Sequence, residues 1–551
     1  MSAAVNVFRL SEFHLHCYHD QVTSPRAFFT KSVLAIVLAL GMPCFASGPD
    51  PAANLPAIPT TVDSITATEL RAHLEFLSST ELGGRYTLSP NFAIAARYLA
   101  SELESYGFHG AAANGSFLQK FEVVTSKPDP AHMSLELNIE GKRQSAAFAQ
   151  DFFTAPNAGN GAAQGELVYI GGGISAPELK RDDYAGKDVK GKIVILVSGA
   201  TGGVDIPKLA DNEHGGGAAQ AHGAVGMLIV PAQRFLNFMK DRNVMQRFAG
   251  RESVSLADGH ASSLPGVTLG PDLAEKVLAG FGLTLKQAYE ASGNDAAKCR
   301  QCSAKFYVAV QQSQKVTQNV AGILEGADPQ LKNEYVTFSA HYDHLKTSPN
   351  GEIYHGADDD GSGTSAVLAI AKAMSMDRPK RSVLVIFHAG EELGLLGSEY
   401  NADYAPVVPL DKMVVDLNID MIGRSKPPGD NNPADERLTD ANSVYLVGSD
   451  RISKELDQIS AETNQQFQKL RLDYYYNGPS NPERIYYRSD HWNYAKHGIP
   501  IIFYFSGTHV DYHQPTDTID KIDFNKMKEV TRLVFETGWR IANLDHRLTK
   551  N

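Results

Sequence analysis

The 551-residue sequence has little of what marks several large protein classes. It contains only four cysteines, two tryptophans and one long apolar run, and its mean hydropathy is −0.24. So few cysteines exclude a disulfide-rich scaffold, and a single apolar run excludes a membrane protein with several spans. Basic residues are not in excess either, since 51 Lys and Arg stand against 63 Asp and Glu, for a net charge of −12. Because phosphate contacts need clustered basic side chains, we expect no nucleic-acid partner.

The apolar run has the pattern of a secretory signal peptide. Arg26 and Lys31 precede the apolar residues 32–42, and the small residues 46–48 follow them. Basic residues followed by an apolar run and then small residues are typical of a cleavable signal peptide. The apolar run is shorter than the length that a helix needs to span a bilayer. We therefore predict that residues 1–47 are a leader and that the mature chain is exported, periplasmic or secreted, without an integral membrane span.

Two cysteines remain after the leader, Cys299 and Cys302. A structural zinc site needs four ligands, and the sequence contains no second cysteine pair to complete one. A small local disulfide in an oxidising compartment is the interpretation that this spacing favours.

The remaining composition is that of a globular protein, with 43% hydrophobic and 21% charged residues. At about 150 residues per domain, the length predicts two to four domains. From about residue 311 onward, apolar strand-like runs alternate with helical patterns, which predicts an α/β fold with a mostly parallel mixed sheet flanked by helices. The predicted strands are 335–340, 382–387, 413–419 and 500–505, and the predicted helices are 363–374 and 524–543, with two earlier helices at 67–77 and 91–106. The pattern of residues 125–300 differs from this and predicts short strands separated by glycine-rich turns.

Imidazoles and carboxylates follow the ends of these strands. They are His341, Asp343 and His344 after the first, Glu391 and Glu392 after the second, Asp420 after the third, a turn at 358–360, and His513 near the C-terminus. Ligands of such sheets gather at the carboxyl ends of the strands. A mixed set of imidazole nitrogens and carboxylate oxygens suits zinc without any thiolate.

Charge balance favours two cations at this edge of the sheet. Three converging carboxylates would repel one another and take up protons unless cations offset them. Two divalent ions about 3.5–4 Å apart would do so, and a turn carboxylate such as Asp359 is placed to bridge them. Of the adjacent Glu391 and Glu392, one can bind metal while the other stays free as a general base.

Five blocks of the sequence resemble those of the co-catalytic dizinc aminopeptidases, in the glutamate carboxypeptidase and transferrin receptor superfamily. The blocks are His341-x-Asp343, residues 356–363, Glu391-Glu392-x-Gly394-x-x-Gly397-Ser398, Asn418-x-Asp420-Met421 and Tyr512-His513-x-Pro515-x-Asp517-Thr518. All five occur in the order found in that family. The resemblance covers about 64–124 and 311–545, and it implies the zinc exopeptidase fold. Residues 183–192 and 222–226 resemble an inserted β-rich protease-associated domain, for which we expect the bounds 125–310.

The resemblance implies two Zn²⁺ per chain and a role for each motif residue. His341 and Asp420 would bind one ion, Glu392 and His513 the other, and Asp359 would bridge them. Glu391 would be the general base, Asp343 would orient the imidazole of His341, and Tyr512 would stabilise the oxyanion. His344 and His355 are further imidazoles near these motifs, and we expect them to be bystanders.

The activity implied is that of an aminopeptidase that hydrolyses N-terminal residues from peptides through a zinc-bound hydroxide. A glutamate-carboxypeptidase-like or dipeptidase activity is the alternative, and it needs arginines for the substrate carboxylate, for which Arg424, Arg484 and Arg488 are the candidates. A non-catalytic receptor-like protein is a further alternative, although such proteins lose ligands that this sequence retains. Side-chain preference and oligomeric state are not set by the sequence.

Overall fold

The computed structural model describes residues 55–155, 158–204, 206, 209–240, 245–246, 249–257, 264–290, 298–478 and 481–551. The expected leader, residues 1–47, lies outside them. The helices are α1 Ala67–Leu77, α2 Phe92–Ser105, α3 Gly215–Ala221, α4 Gln233–Phe238, α5 Pro271–Ala279, α6 Leu285–Glu290, α7 Gly361–Met376, α8 Leu396–Glu399, α9 Lys454–Gln466, α10 His491–Ala495 and α11 Phe524–Asn543. Within the described part of the chain, none of the helices has both the length and the apolar character that a membrane crossing needs.

The strands form two large sheets. They are β1 His109–Gly110, β2 Leu118–Pro128, β3 Ser134–Ile139, β4 Lys142–Ala146, β5 Phe152–Thr154, β6 Gly161–Gly171, β7 Ser175–Ala176, β8 Arg181–Asp182, β9 Ile193–Val197, β10 Gly226–Val230, β11 Ser253–Leu256, β12 Gly266–Leu269, β13 Ser303–Val308, β14 Val310–Leu324, β15 Tyr335–His341, β16 Ser382–His388, β17 Met413–Ile419, β18 Ser443–Val447, β19 Arg471–Asp473 and β20 Ile501–Phe505.

The larger sheet is mixed, with a parallel centre. Its ten strands run in the order β11-β2-β14-β16-β15-β17-β20-β18-β19, and β1 pairs with β14 at one side. The strands β16, β15, β17 and β20 are parallel, whereas β14 pairs antiparallel with β16 and β18 pairs antiparallel with β20. This arrangement confirms the predicted fold class.

Both faces of the parallel centre are buried, which is why its strands read as continuous apolar runs. Along β16 the alternating residues Val383 and Val385 join the core beneath α1, α7 and α11, whereas Leu384 joins a second core on the opposite face. The second core includes Trp492 of α10.

Local chemistry explains where two of these helices begin. The Asp523 side chain accepts from the backbone N–H groups of Asn525 and Lys526 at the start of α11, and the Asp360 side chain accepts from Gly363 at the start of α7. The first turn of α7 therefore follows directly on the 358–360 turn of the predicted ligand set.

The smaller sheet has eight strands in the order β4-β3-β13-β6-β9-β10-β12-β5 and a separate apolar core that includes Ile193, Leu228 and Val267. The segment 125–310 also contributes to the larger sheet, because β11 pairs antiparallel with β2. This pairing between strands distant in sequence has no local sequence pattern. Cys299 and Cys302, which follow α6, form a disulfide.

Close packing of α11 on the sheet predicts a cost for enlarging Gly538. A Cβ at this position would lie 2.3 Å from Cζ of Phe338 and 3.1 Å from Cδ1 of Leu417. Gly538→Ala gains about 0.8–1 kcal/mol of helix propensity, but overpacking costs about 1–3 kcal/mol. We expect a lower denaturant midpoint for the variant. Adding Phe338→Leu to this variant should relieve the clash, so the double variant should lose less stability than the sum of the losses of the two single variants. A loss equal to or greater than that sum would contradict the prediction.

Candidate metal centre

The predicted ligand residues lie together at the carboxyl edge of the parallel strands. His341 is the last residue of β15, and Asp420 directly follows β17. Glu391 and Glu392 lie just beyond the end of β16, and His513 lies in the segment that follows β20. Neighbouring parallel strands end at the same edge of the sheet, so residues far apart in sequence meet here.

One group of donors comprises His341, Asp420 and Asp359. Nε2 of His341 lies 3.3 Å from Oδ1 of Asp359 and 3.6 Å from Oδ1 of Asp420. All three residues are buried.

A second group comprises His513, Glu392 and the other oxygen of Asp359. Nε2 of His513 lies 3.1 Å from Oε2 of Glu392 and 3.1 Å from Oδ2 of Asp359. The carboxylate of Asp359 therefore stands between two imidazoles, with one oxygen toward each. The structure thus brings the five residues expected as ligands into two groups that share one carboxylate.

These side chains fit metal ions better than they fit one another. Among the described residues, Nε2 of His341, Oδ2 of Asp359 and Oε1 of Glu392 are buried without a hydrogen-bond partner. Buried polar atoms without partners are costly, and several carboxylates in one buried place need positive charge. Imidazole and carboxylate donors 3.1–3.6 Å apart are near enough to share an ion whose bonds are about 2.0–2.2 Å long. The donor set is one that zinc accepts.

The same proximity shifts the pKa of each group. Burial alone would lower the pKa of His513, but the Asp359 and Glu392 carboxylates outweigh it and raise that pKa to about 10. The pKa of His341 is likewise raised well above its ordinary value, against the effect of burial, by Glu391 and Asp420. Burial would raise the pKa of Asp359, yet the facing imidazoles hold it well below its usual range. Without metal, these imidazoles therefore carry protons.

A carboxylate from a distant segment fixes the backbone that carries Asp359. Oδ2 of Asp517 accepts hydrogen bonds from the backbone N–H groups of Asp358, at 3.0 Å, and Asp359, at 3.2 Å. Arg424 forms an ion pair with Asp511 at 2.9 Å and lies 3.8 Å from Asp517. The turn with the shared carboxylate is thereby tied to the segment with His513.

Glu391 lies beside the first group of donors. Its Oε2 is 4.0 Å from Nε2 of His341, and its side chain is 13% exposed, so it is open to a small molecule but poorly solvated. Burial raises the pKa of Glu391 well above its ordinary value, and the charges of Glu392 and Asp420 raise it further.

Asp343 lies beside the imidazole that it is expected to orient, and its carboxylate also contacts the Glu391 segment. Nδ1 of His341 is 3.2 Å from the backbone carbonyl of Asp343 and 3.7 Å from its carboxylate. The carboxylate accepts hydrogen bonds from the hydroxyl of Thr87 at 2.7 Å and from the backbone N–H of Glu391 at 3.2 Å. Its side chain therefore positions the Glu391 segment, while its main chain faces the imidazole.

Tyr512 packs against a ligand residue. Its ring stacks on that of His513, with 3.9 Å between the centroids and 24° between the planes. Burial raises the pKa of Tyr512 well above its ordinary value, and the Asp359 and Glu392 carboxylates raise it further. The hydroxyl therefore remains protonated and can donate a hydrogen bond.

Three positioning contacts escape sequence reasoning. Arg85 is fully buried and donates to the backbone carbonyls of Tyr342, at 3.0 Å, and Gly356, at 2.9 Å, on either side of the loop between β15 and α7. Thr87 holds Asp343, as described above, and His344 lies 2.7 Å from Glu392. Gly83-Gly84-Arg85 is visible in the sequence as a break after α1, but nothing local indicates that its arginine reaches this loop.

The arginines proposed for a substrate carboxylate do not offer a free cluster. Arg424 is 12% exposed, and Asp511 and Asp517 already offset its charge. The guanidinium of Arg484 lies over the ring of Tyr487, 4.5 Å from its centroid. Arg488 is exposed, and its charge is near enough to Tyr512 to oppose the rise of that pKa.

Residues 319–538 match the model of peptidase family M28. The chain is 30% identical to a probable leucine aminopeptidase 2 from Aspergillus oryzae over 207 residues, 37% of this chain and 36% of that relative. It is 34% identical to aminopeptidase YwaD from Bacillus subtilis (strain 168) over 112 residues, 20% of this chain and 23% of that relative. The chain thus spans about a third or less of the length of these curated relatives.

Among solved structures, the aminopeptidase from Aneurinibacillus sp. strain AM-1 is similar with a TM-score of 0.54 and 20% identity, over 89% of this chain and 97% of that one. At this identity the likeness shows a shared fold, and it agrees with the two-sheet architecture described above.

Removing the Asp517 carboxylate should weaken metal binding. Asp517→Ala frees the backbone of Asp358 and Asp359, so the shared carboxylate is no longer held between the imidazoles. We expect an affinity loss of about 10–100-fold, as for other groups that orient metal ligands, measured by chelator competition. Asp520→Ala, at an exposed neighbouring position, is the matched control; equal affinities for the two variants contradict the prediction.

Metal binding should release protons. The raised pKa of His513, about 10, means that its imidazole is protonated near neutral pH before metal binds, and a ligand imidazole must be neutral. Apparent affinity should therefore rise as pH rises toward that value. Calorimetry in buffers of different ionisation enthalpy measures the released protons, and His513→Gln should release fewer. The same heat in every buffer would mean that no proton leaves.

Proposed function

Residues 319–538 of this chain belong to peptidase family M28, and we propose that the protein is a zinc-dependent aminopeptidase that removes N-terminal residues from peptides. The observation that carries the proposal is the pair of donor groups sharing Asp359, with Glu391 beside them. Two imidazoles and three carboxylates are placed to hold the ions, and a fourth carboxylate, that of Glu391, stays available for the proton.

His341, Asp420 and Asp359 would hold one zinc ion, and His513, Glu392 and Asp359 would hold the other. When bound, zinc supplies Lewis-acid polarisation of the scissile carbonyl and makes water more acidic. The side chains of His341, Asp359, Glu392 and Asp420 are at most 10% exposed, whereas His513 is 35% exposed and forms the solvent-facing side of the site.

Glu391 moves the proton in this reaction. Its carboxylate accepts a proton from the attacking water as the oxygen bonds to the scissile carbonyl carbon. The carboxylic acid then delivers that proton to the amide nitrogen as the carbon–nitrogen bond breaks, so the amine leaves and the carboxylate is regenerated. In the metal-free chain burial raises the pKa of Glu391 above its ordinary value, which is the direction that favours holding the transferred proton.

Tyr512 stabilises the negative charge on the substrate oxygen. Its hydroxyl stays protonated because its pKa is raised, and stacking on His513 fixes the ring beside the donors. A hydrogen-bond donor fixed in advance where charge develops contributes without reorganising.

The site favours the amino end of a peptide over the carboxyl end. The carboxylates of Asp359, Glu391, Glu392 and Asp420 surround it, whereas Arg424 is committed to Asp511 and Asp517. Bound metal ions offset much of this charge, so the argument against a free carboxylate rests on the arginines: Arg424 is paired with acidic side chains, and the guanidinium of Arg484 lies over the ring of Tyr487. The names of the relatives from A. oryzae and B. subtilis, both aminopeptidases, point the same way.

Two features outside the centre belong to the same proposal. The smaller sheet is proposed to be the core of an inserted protease-associated domain, expected at 125–310. Residues 1–47 are proposed to be a leader that directs export to the periplasm or the medium, where peptide substrates would be met. Mass spectrometry of the exported chain tests the cleavage position.

Replacing Glu391 should abolish turnover while leaving the metal bound. In Glu391→Gln the side chain keeps its size but cannot accept a proton, so we expect kcat on aminoacyl anilides to fall by about 10²–10⁴-fold, the usual worth of a general base. Metal content and KM should change little, because Glu391 is not among the five ligands. Glu275→Gln, on the exposed side of α5, is the control and should match the unsubstituted protein.

Substrates distinguish the amino-end from the carboxyl-end assignment. Peptides with a free amino end and an amidated carboxyl end should be cleaved, and the same peptides with an acetylated amino end should not. Cleavage of acetylated peptides with a free carboxyl end would instead identify a carboxypeptidase.

A further inference from the structure

His344 is a buried imidazole in contact with the second donor group, and no role has yet been given to it. Its side chain is fully buried. Nδ1 lies 2.7 Å from Oε1 of Glu392 and 3.8 Å from Oδ2 of Asp359. The ring stands edge-on to that of His513, with 5.9 Å between the centroids.

The surrounding chain holds this ring in place. The backbone N–H of His344 donates to the carbonyl of Arg85 at 3.3 Å, and the backbones of His344 and Tyr86 pair in an isolated parallel β-bridge. On the other side lies Gly356, where an added Cβ would approach Cγ of His344 to 2.5 Å. Gly356 also has φ +55°, a conformation that favours glycine. The ring therefore fills space that a side chain at 356 would take.

Among the described residues, the polar side chains near Nδ1 of His344 are two carboxylates of the second donor group, those of Glu392 and Asp359. Within the described residues, neither Nδ1 nor Nε2 has a hydrogen-bond partner. Oε1 of Glu392 is also unpartnered, although it lies 2.7 Å from Nδ1, so the two atoms are close without the alignment of a hydrogen bond. Two buried polar atoms this close without a bond would be costly unless a third species satisfies both. A cation beside the pair, in contact with both atoms, does so, because at 2.7 Å apart they leave no room for an ion between them.

We propose that His344 binds the same zinc ion as His513, Glu392 and Asp359, through Nδ1. This inference rests on the proposed two-metal function and adds a sixth ligand to the centre. The ion would then have two imidazoles and two carboxylates, the four protein ligands of a closed zinc site. The other ion, with His341, Asp420 and Asp359, keeps an open position, and it is the one next to Glu391.

The two metal positions are therefore unequal. The position with four protein ligands binds the more tightly of the two and fills first. The position with three is the more exchangeable, and it is the one whose ligand His341 lies beside Glu391. An imidazole also adds no negative charge, so His344 strengthens binding without adding a fifth carboxylate to those already buried here.

A cysteine at position 344 tests the assignment directly. Sγ of a cysteine extends less far from the backbone than Nδ1 of a histidine, and the longer zinc–sulfur bond, about 2.3 Å against about 2.0–2.1 Å for nitrogen, compensates. With Co²⁺ as the probe, His344→Cys should show the intense near-ultraviolet absorption of a thiolate bound to cobalt. His355→Cys is the matched control, because the ring of His355 contacts the carbonyl of Ser78 at 2.8 Å instead of the donor groups. It should show no such absorption.

Equilibrium binding gives the second readout. In His344→Gln, one of two metal equivalents should lose more than about 100-fold in affinity, beyond the about 10–100-fold that orienting groups contribute, while the other is unchanged. His355→Gln should bind both as the unsubstituted chain does, and circular dichroism checks that each variant is folded.

The outcomes separate the two levels of the proposal. If His344→Cys with two bound Co²⁺ lacks the thiolate absorption, or if His344→Gln binds both ions as the unsubstituted chain does, His344 is not a ligand, whereas the two-metal function stands. If the unsubstituted chain itself binds fewer than two ions, the proposed function fails instead.

Discussion

The position of Asp359 is the constraint on which the rest of the centre depends. Its oxygens lie 3.3 Å from one imidazole nitrogen and 3.1 Å from the other, so a displacement of its backbone spoils both donor groups at once. Asp517 holds this backbone from one side, and Arg85 holds Gly356 at the start of the same turn. The neighbouring Asp360 caps α7, so the helix that covers the sheet begins where the shared carboxylate sits. The start of this helix and the position of the shared carboxylate therefore depend on the same turn.

Charge sets the second condition. Burial raises the pKa of Asp420 and of Glu391, which means that keeping these carboxylates ionised costs free energy in the folded chain. The raised pKa of His513, about 10, shows that protons on the imidazoles supply part of the missing positive charge when metal is absent. Divalent ions replace those protons with more charge in the same volume, so the fold is compatible with the metal-free chain and better satisfied with metal.

The sequence predicts those elements of the structure that follow from local residue patterns. The strands and helices of the parallel centre were expected from apolar runs and their spacing, and α11 spans the residues predicted for it. The five expected ligands converge because a general rule places loop residues at the carboxyl edge of a parallel sheet. No comparable rule predicts contacts between other residues that lie far apart in the sequence. Thr87 meets Asp343 from 256 positions away, and β11 pairs with β2 although its own sequence is unremarkable. The burial of His344, which the sequence leaves as a bystander, depends on Gly356 and on the 85–86 segment, and only the folded chain brings these to it.

The four consecutive residues from His341 to His344 contact both donor groups and the segment that carries Glu391. His341 faces the shared carboxylate, and the carbonyl of Tyr342 accepts from Arg85. Asp343 holds the backbone of Glu391, and His344 meets Glu392. Because successive side chains leave a strand end in different directions, consecutive residues reach both donor groups and the base. Glu391, the proposed base, is therefore held by the same four-residue segment as the proposed metal ligands, and a shift of this segment would move both together. A shift of the whole segment would therefore leave the distances between Glu391 and the two donor groups unchanged, as the proposed proton transfer by Glu391 requires.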